Sequence, residues 1–231
     1  ASDVYKRQIG DSVILYTQDG KVLKQDEVSS YPCVGEDLPG LRYFRSVRTT
    51  GLNESTVVAL FSARLLNTGT SYMKMWIPAS SDVSYFTALA PGAKTASSPY
   101  QSKPSLVVTM RKEKPAVKEP FVVVYEPISD ELSADLIESV DRIKLDPLGK
   151  ESCAIKVKTK EGDTFTLVNI LKDGPVILNN QKCCADFAIF AKRKGKNSVY
   201  VGNGSFVENK DFKIESENRG SFYIEYDQTS L

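Results

Sequence analysis

The chain contains no histidine. That removes the side chain most often used as a general base near neutral pH, and the commonest metal ligand. The four cysteines, Cys33, Cys153, Cys183 and Cys184, include no Cys-x-x-Cys pair, so the spacing of a zinc knuckle is missing. No apolar run approaches the ~20 residues that a membrane-spanning helix needs. Charge is almost balanced, with 30 Lys and Arg against 29 Asp and Glu and a formal net charge of +1. A dedicated nucleic-acid binder would instead concentrate cations on one stripe. The acidic residues do not cluster as in a calcium loop. Without a parallel βαβ pattern there is no dinucleotide site to propose.

What is present is ordinary for a globular protein: 231 residues, 41% hydrophobic and 26% charged, enough for one large β domain or two small ones. The start is unusual. Residues 3–8 read Asp-Val-Tyr-Lys-Arg-Gln, and one back-translation, GATGTGTATAAGAGACAG, is a transposon end used in sequencing libraries. Residues 1–8 are therefore expected to be a sequencing-adapter artefact, with native sequence from near Ile9 and any export signal upstream lost.

The periodicity is β almost throughout. Residues 13–16 and 21–23 flank a Gln18-Asp19-Gly20 turn and read as a hairpin. Residues 57–66 and 72–77 alternate as strands do, and residues 84–90 read as a third strand ended by Pro91-Gly92. Residues 106–110 and 121–125 are nearly continuous apolar runs, which suit strands buried on both faces. Glu126-Pro127 is expected to close that set, and residues 128–136 have room for a short helical turn. Strands are expected again over 153–158, 164–171, 176–178, 185–191, 198–201, 206–207, 212–214 and 222–226. The expectation is an all-β chain: an antiparallel β-sandwich over 9–127, then a smaller C-terminal β-sheet domain over 128–231.

Four segments in order carry a resemblance: Ser71-Tyr72-Met73-Lys74-Met75-Trp76-Ile77-Pro78, Tyr85-Phe86-Thr87-Ala88-Leu89-Ala90-Pro91, Pro104-Ser105-Leu106-Val107-Val108 and Pro120-Phe121-Val122-Val123-Val124-Tyr125-Glu126-Pro127. With Val199-Tyr200-Val201-Gly202-Asn203-Gly204-Ser205, read as a strand and turn, they resemble the C-terminal β part of heparinase II/III-like polysaccharide lyases, from about Leu41 onward. The resemblance implies a supersandwich-like sheet region preceded by a helical toroid in the same chain. It implies β-elimination on an acidic, uronate-containing polysaccharide, in bacteria, in the periplasm or outside the cell. Tyrosine and histidine do the proton transfers in that family, and some members hold zinc through histidine and aspartate. With no histidine to map, no catalytic residue and no zinc ligand transfers to this chain, and the fragment is expected to be an inactive scaffold without a cofactor. The helical domain and the acidic polysaccharide are the expected partners; no nucleic acid and no membrane span are expected.

One local candidate for substrate contact is Arg42-Tyr43-Phe44-Arg45, with Arg48 nearby: on a strand, Tyr43 and Arg45 share a face that an anionic sugar could use. The simpler reading is a sheet face carrying solvated arginines. Trp76, the single tryptophan, reads either as a sugar-stacking ring or as core packing. Lys192, Arg193, Lys194 and Lys196 read as a cation cluster for acidic glycans or as a solvated turn. Cys183 and Cys184 fall on opposite faces of a strand; one of them pairs with Cys153 if their strands are neighbours, and otherwise all are small buried thiols. Asn53-Glu54-Ser55 and Asn203-Gly204-Ser205 match the glycosylation pattern but are discounted for a bacterial protein. Three functions stay open: the scaffold of a lyase, a stand-alone β module binding carbohydrate or a protein, or a structural domain. A scaffold separated from its helical domain is expected to expose apolar surface where that domain docks.

Overall fold

The computed structural model describes residues 13–29, 43–65, 69–81, 83–90, 104–112, 120–128, 135–145, 152–170, 174–178 and 181–227. Every named element among them is a β-strand, and the strand pairs with a defined register are antiparallel. The chain divides into two compact units: residues 1–76, 80–114 and 125–134 form one, and residues 77–79, 115–124 and 135–231 the other. Residues 3–8 and Cys33 lie outside the described residues.

The first unit is an antiparallel sandwich of two four-stranded sheets. One sheet runs β1 (Val13–Thr17), β4 (Val57–Leu65), β5 (Gly69–Ile77), β8 (Val124–Ile128). The other runs β2 (Asp26–Glu27), β3 (Arg45–Leu52), β6 (Val83–Ala90), β7 (Ser105–Lys112). Strands β4 and β6 are buried on both faces, through Val57, Val58 and Ala59 and through Tyr85, Phe86, Thr87 and Ala88. A near-continuous run of β-branched, aromatic and small residues suits that position.

Two apolar runs behave otherwise than expected. Residues 106–110 form part of β7 but are only half-buried. Of residues 121–125, only the last two join β8; Phe121 and Tyr125 are exposed. Glu126-Pro127 does not end the strand but lies inside it. The proline is tolerated because β8 is an edge strand, where a missing N–H costs no ladder bond. The expected helical turn over 128–136 falls largely on residues outside the described ones.

The second unit is one sheet, β15 (Lys213–Tyr226), β14 (Lys196–Glu208), β13 (Gln181–Arg193), β11 (Thr164–Ile170), β10 (Ser152–Thr159), β9 (Ile137–Ile143), with β12 (Val176–Leu178) paired to β13. Its core joins Ala154, Val168, Ile170, Ala188, Phe190, Val199 and Val201 from one side of the sheet with Leu178, Cys183, Ala185 and Val207. Two tight turns shape it. Gly162, at φ 87°, closes β10–β11, and Lys194-Gly195, at φ 47° and 82°, closes β13–β14. Both need the left-handed region that glycine enters without steric cost.

The segment Val199–Ser205 is not a strand followed by a turn. It lies inside the 13-residue strand β14. Register slips between Val201 and Gly204 and between Gly204 and Phe206 make it a double bulge, with Asn203 at φ 49°. The buried positions of β13 change parity at the same level, from Cys183 and Ala185 to Ala188 and Phe190. Bulges bend a strand and raise its twist, so this is where the long hairpin changes the side it gives to the core.

Candidate functional site

The candidates named from the sequence separate clearly. Strand β3 begins at Arg45, so Tyr43 precedes it and the strand alternation does not reach Tyr43. Both side chains are exposed. A bulge at Ser46 (φ 51°) sets Arg45 opposite Leu89 and Arg48 opposite Thr87. Leu89 and Thr87 share a face, and this places Arg45 and Arg48, three residues apart, on one face.

Trp76 is core. It is 3% exposed, and its indole N–H donates to the Glu126 carboxylate at 2.8 Å, with the Lys74 ammonium 5.7 Å from the ring centre. Cys153 does not neighbour Cys183 or Cys184, because β11 stands between β10 and β13, and all three are free thiols. Burial pushes the Cys183 thiol up to about 12, and burial also raises Cys153. Neither is suited to act as a nucleophile. Among the described residues no group of His, Cys, Asp and Glu is arranged to hold a metal ion.

The surface of the second unit turned away from its core carries the groups suited to a ligand. At one end, two cross-strand rows, Lys182–Glu208–Lys213 and Cys184–Phe206–Glu215, share one face. They line a shallow groove of about 300 Å³ together with Ser205 and Ser216. The Lys182 and Lys213 ammonium groups stand 5.6 and 5.5 Å from the Phe206 ring centre. Lys213 is also paired to Glu215 at 3.0 Å, and that bond raises its pKa. Two cations and two carboxylates leave this groove with no excess charge.

Next along the strands is a clamp. Asn203 donates its side-chain amide to Asp186 at 2.5 Å, and the Arg219 guanidinium bonds the Asp186 carboxylate and the Asn203 carbonyl. Gly202 and Gly204 flank it for steric reasons. A β carbon at Gly202 would meet the Phe187 ring, and one at Gly204 would meet Ala185 and the Cys184 carbonyl.

Beyond the clamp runs an aromatic row. Phe187 and Tyr200 have ring centres 5.5 Å apart at a 40° tilt. Tyr200 faces Tyr223 across the β14–β15 ladder. Phe187 is 41% and Tyr223 57% exposed. The row continues into Ile189 and Leu167, which are half-buried, and then into Ile155 and Val157, which are buried. At that buried end Arg142 donates to the carbonyls of Ala79 and Pro120. The face is therefore covered at β9–β10 and open at β13–β15.

The basic turn adjoins the open end. Arg193 and Lys196 are cross-strand partners, and the alternation puts them on the same face as Tyr200 and Tyr223. Arg193 lies 5.9 Å from the Phe165 ring centre and bonds Asp163 at 3.4 Å. The Tyr223 hydroxyl donates to Glu225 at 2.6 Å, which raises its pKa, while a hydrogen bond with Ser198 and, less strongly, the charge of Arg193 pull it the other way. Sequence reading missed the row because its rings come from three strands. The available signal was a tyrosine set between core residues twice over, in Val199-Tyr200-Val201 and Phe222-Tyr223-Ile224.

An endo-acting ulvan lyase of Formosa agariphila is 28% identical to the chain over 233 residues, a match that covers 99% of the chain and 24% of that enzyme. The chain thus spans about a quarter of that relative's length and is a distant homologue of part of a polysaccharide lyase. No protein-family model matches the chain. No solved structure matches it.

Proposed function

We propose that this chain is a β-sheet part of a polysaccharide lyase of the heparinase II/III-like kind, exported by a bacterium, which cleaves an acidic, uronate-containing glycan by β-elimination when joined to a helical domain. The likeness to the ulvan lyase along 99% of the chain carries the reading, and it makes ulvan the first substrate to try. In such a reaction a base removes the proton beside the uronate carboxylate, an acid protonates the leaving glycosidic oxygen, and nearby groups neutralise the carboxylate.

The chain's own groups suit a supporting part. It has no histidine to share in those proton transfers. A tyrosine acts as a base only when its pKa is lowered. Here Tyr223 is raised by Glu225, and Tyr226 is raised by burial. The chain therefore positions glycan and partner domain and leaves proton transfer to the rest of the enzyme.

The test compares the 231-residue chain with the protein read from the same gene extended upstream, each incubated with ulvan. The extended protein is expected to form unsaturated chain ends and the chain alone none. Turnover by the chain alone would overturn the scaffold role, and no turnover by either would overturn the lyase reading.

A further inference from the structure

We propose that Asn203–Gly204 is a site of self-modification, where the Gly204 backbone nitrogen attacks the Asn203 side-chain amide, and that the Asp186–Arg219 clamp holds this reaction back in the folded chain. The inference stands apart from the lyase reading.

The chemistry follows from the two residue types. The Gly204 nitrogen gives up its proton and bonds to Cγ of Asn203. The Cγ–Nδ2 bond breaks, and Nδ2 leaves with that proton as ammonia. A five-membered succinimide remains. Solvent water then opens it at either carbonyl, giving aspartate or its β-linked isomer. Glycine after the asparagine favours the attack, because no β carbon restricts its backbone or crowds the forming ring. The sequence holds a single Asn-Gly pair, and it is this one.

The fold exposes the site and restrains it at once. Asn203 is exposed, so water reaches its side chain. The register slip between Val201 and Gly204 falls on it, at φ 49°. Both reacting groups are nevertheless held. The leaving group, Nδ2, donates across to Asp186 on β13 at 2.5 Å. The Asn203 carbonyl accepts from Nε and Nη2 of Arg219 at 3.0 and 2.7 Å. A peptide unit is planar, so a fixed Asn203 carbonyl also fixes the Gly204 nitrogen, the attacking atom. Gly204 is itself buried between Ala185 and Gly220 on the flanking strands. Arg219 also bonds Asp186, so one side chain restrains the nucleophile directly and the leaving group through its acceptor.

The product would undo the clamp. Aspartate at 203 has no Nδ2 donor and sets a second carboxylate against Asp186, with Arg219 left to serve both. The isomer adds a backbone atom to β14. Either change loosens the β13–β14–β15 ladder.

The 231-residue chain is incubated in mildly alkaline buffer, with and without urea, and conversion of each asparagine is followed by peptide mapping and mass spectrometry. Asn203 is expected to persist in the folded chain and to convert in urea. Arg219→Gln is expected to speed its conversion in the folded chain about tenfold, the change in open population on losing a charge-assisted hydrogen bond. Asp186→Ala, which frees Nδ2 alone, is expected to act in the same direction. Asn197, earlier in the same strand, is the internal control: unfolding speeds both sites, loss of the clamp only Asn203. Asn203→Asp, which makes the product directly, is expected to lower the melting temperature.

No conversion of Asn203 in urea would overturn the site. Conversion as fast in the folded wild type as in urea would overturn the protection. Unchanged rates in both variants, or a rise shared equally by Asn197, would overturn the clamp's part in it. An Asn203→Asp chain as stable as the wild type would overturn the loosening. None of these results touches the lyase reading, which stands or falls on unsaturated product from the extended protein.

Discussion

The ring of Phe187 fills the space that a side chain at Gly202 would need: a β carbon there would lie 2.1 Å from the ring. Gly204, two residues on, is closed by different neighbours, Val201 at 2.4 Å, Ala185 at 2.7 Å and the Cys184 carbonyl at 2.8 Å. A phenyl ring on the surface can swing aside, but a strand backbone cannot. Gly202→Ala is expected to cost little stability while displacing Phe187 from Tyr200. Gly204→Ala is expected to cost about 1–3 kcal/mol, as overpacking does. Urea unfolding of the two variants checks the order; equal costs would show that the ring is as fixed as the backbone.

Asn203 sits at φ 49° and donates to Asp186. Asn203→Gly keeps the backbone relaxed and loses the bond, whereas Asn203→Ala loses the bond and keeps a β carbon in the left-handed region, at a further cost of about 1 kcal/mol. Thermal melts are expected to rank the wild type above the glycine variant and the glycine variant above the alanine one.

Trp76 and Glu126 join β5 to β8 through a buried hydrogen bond. Trp76→Phe removes the donor from a carboxylate that is 6% exposed and is expected to cost about 1–3 kcal/mol. In the wild type the single tryptophan is buried, so its emission is expected to shift to longer wavelength as the first unit unfolds. A fluorescence transition that coincides with loss of the far-UV signal would mark the two units as cooperative.

The thiol of Cys183 has its pKa pushed up to about 12 from an ordinary 9.0 by burial. The unfolded chain loses this proton above pH ~9, while the folded chain keeps it to about 12. Folding thus binds more protons than unfolding across that window, so this contribution to stability is complete below pH ~9 and is lost as pH rises toward 12. Cys153 and Tyr226, also raised, act in the same direction. Melting temperatures are expected to fall between pH 9 and 12 through these groups, and Cys183→Ala to reduce the slope. At pH 8, Cys183 is expected to resist alkylation until the protein unfolds.

The sandwich strands β4, β5 and β6 were legible from their runs of β-branched and aromatic residues, although β4 and β6 are buried on both faces rather than one. The sequence hid β9, where Glu138, Asp141 and Arg142 interrupt the apolar positions and Arg142 spends its charge on backbone carbonyls. It also split β14 and β15 into shorter pieces. Gly202-Asn203-Gly204 has turn chemistry, yet here glycine serves close approach within a strand rather than reversal of the chain. The candidate surface was less legible still. Phe187, Tyr200 and Tyr223 become neighbours only through register, a long-range property that single-strand periodicity does not contain. The basic turn was visible as a run, but not the fact that Arg193 and Lys196 share a face with those rings.

The most direct test of the account is the structure of the ends made when the extended protein cuts ulvan, read by mass spectrometry and NMR. A lyase is expected to leave one unsaturated uronate at each break, with no water incorporated. Saturated ends carrying an oxygen from solvent would mean hydrolysis and would contradict the account.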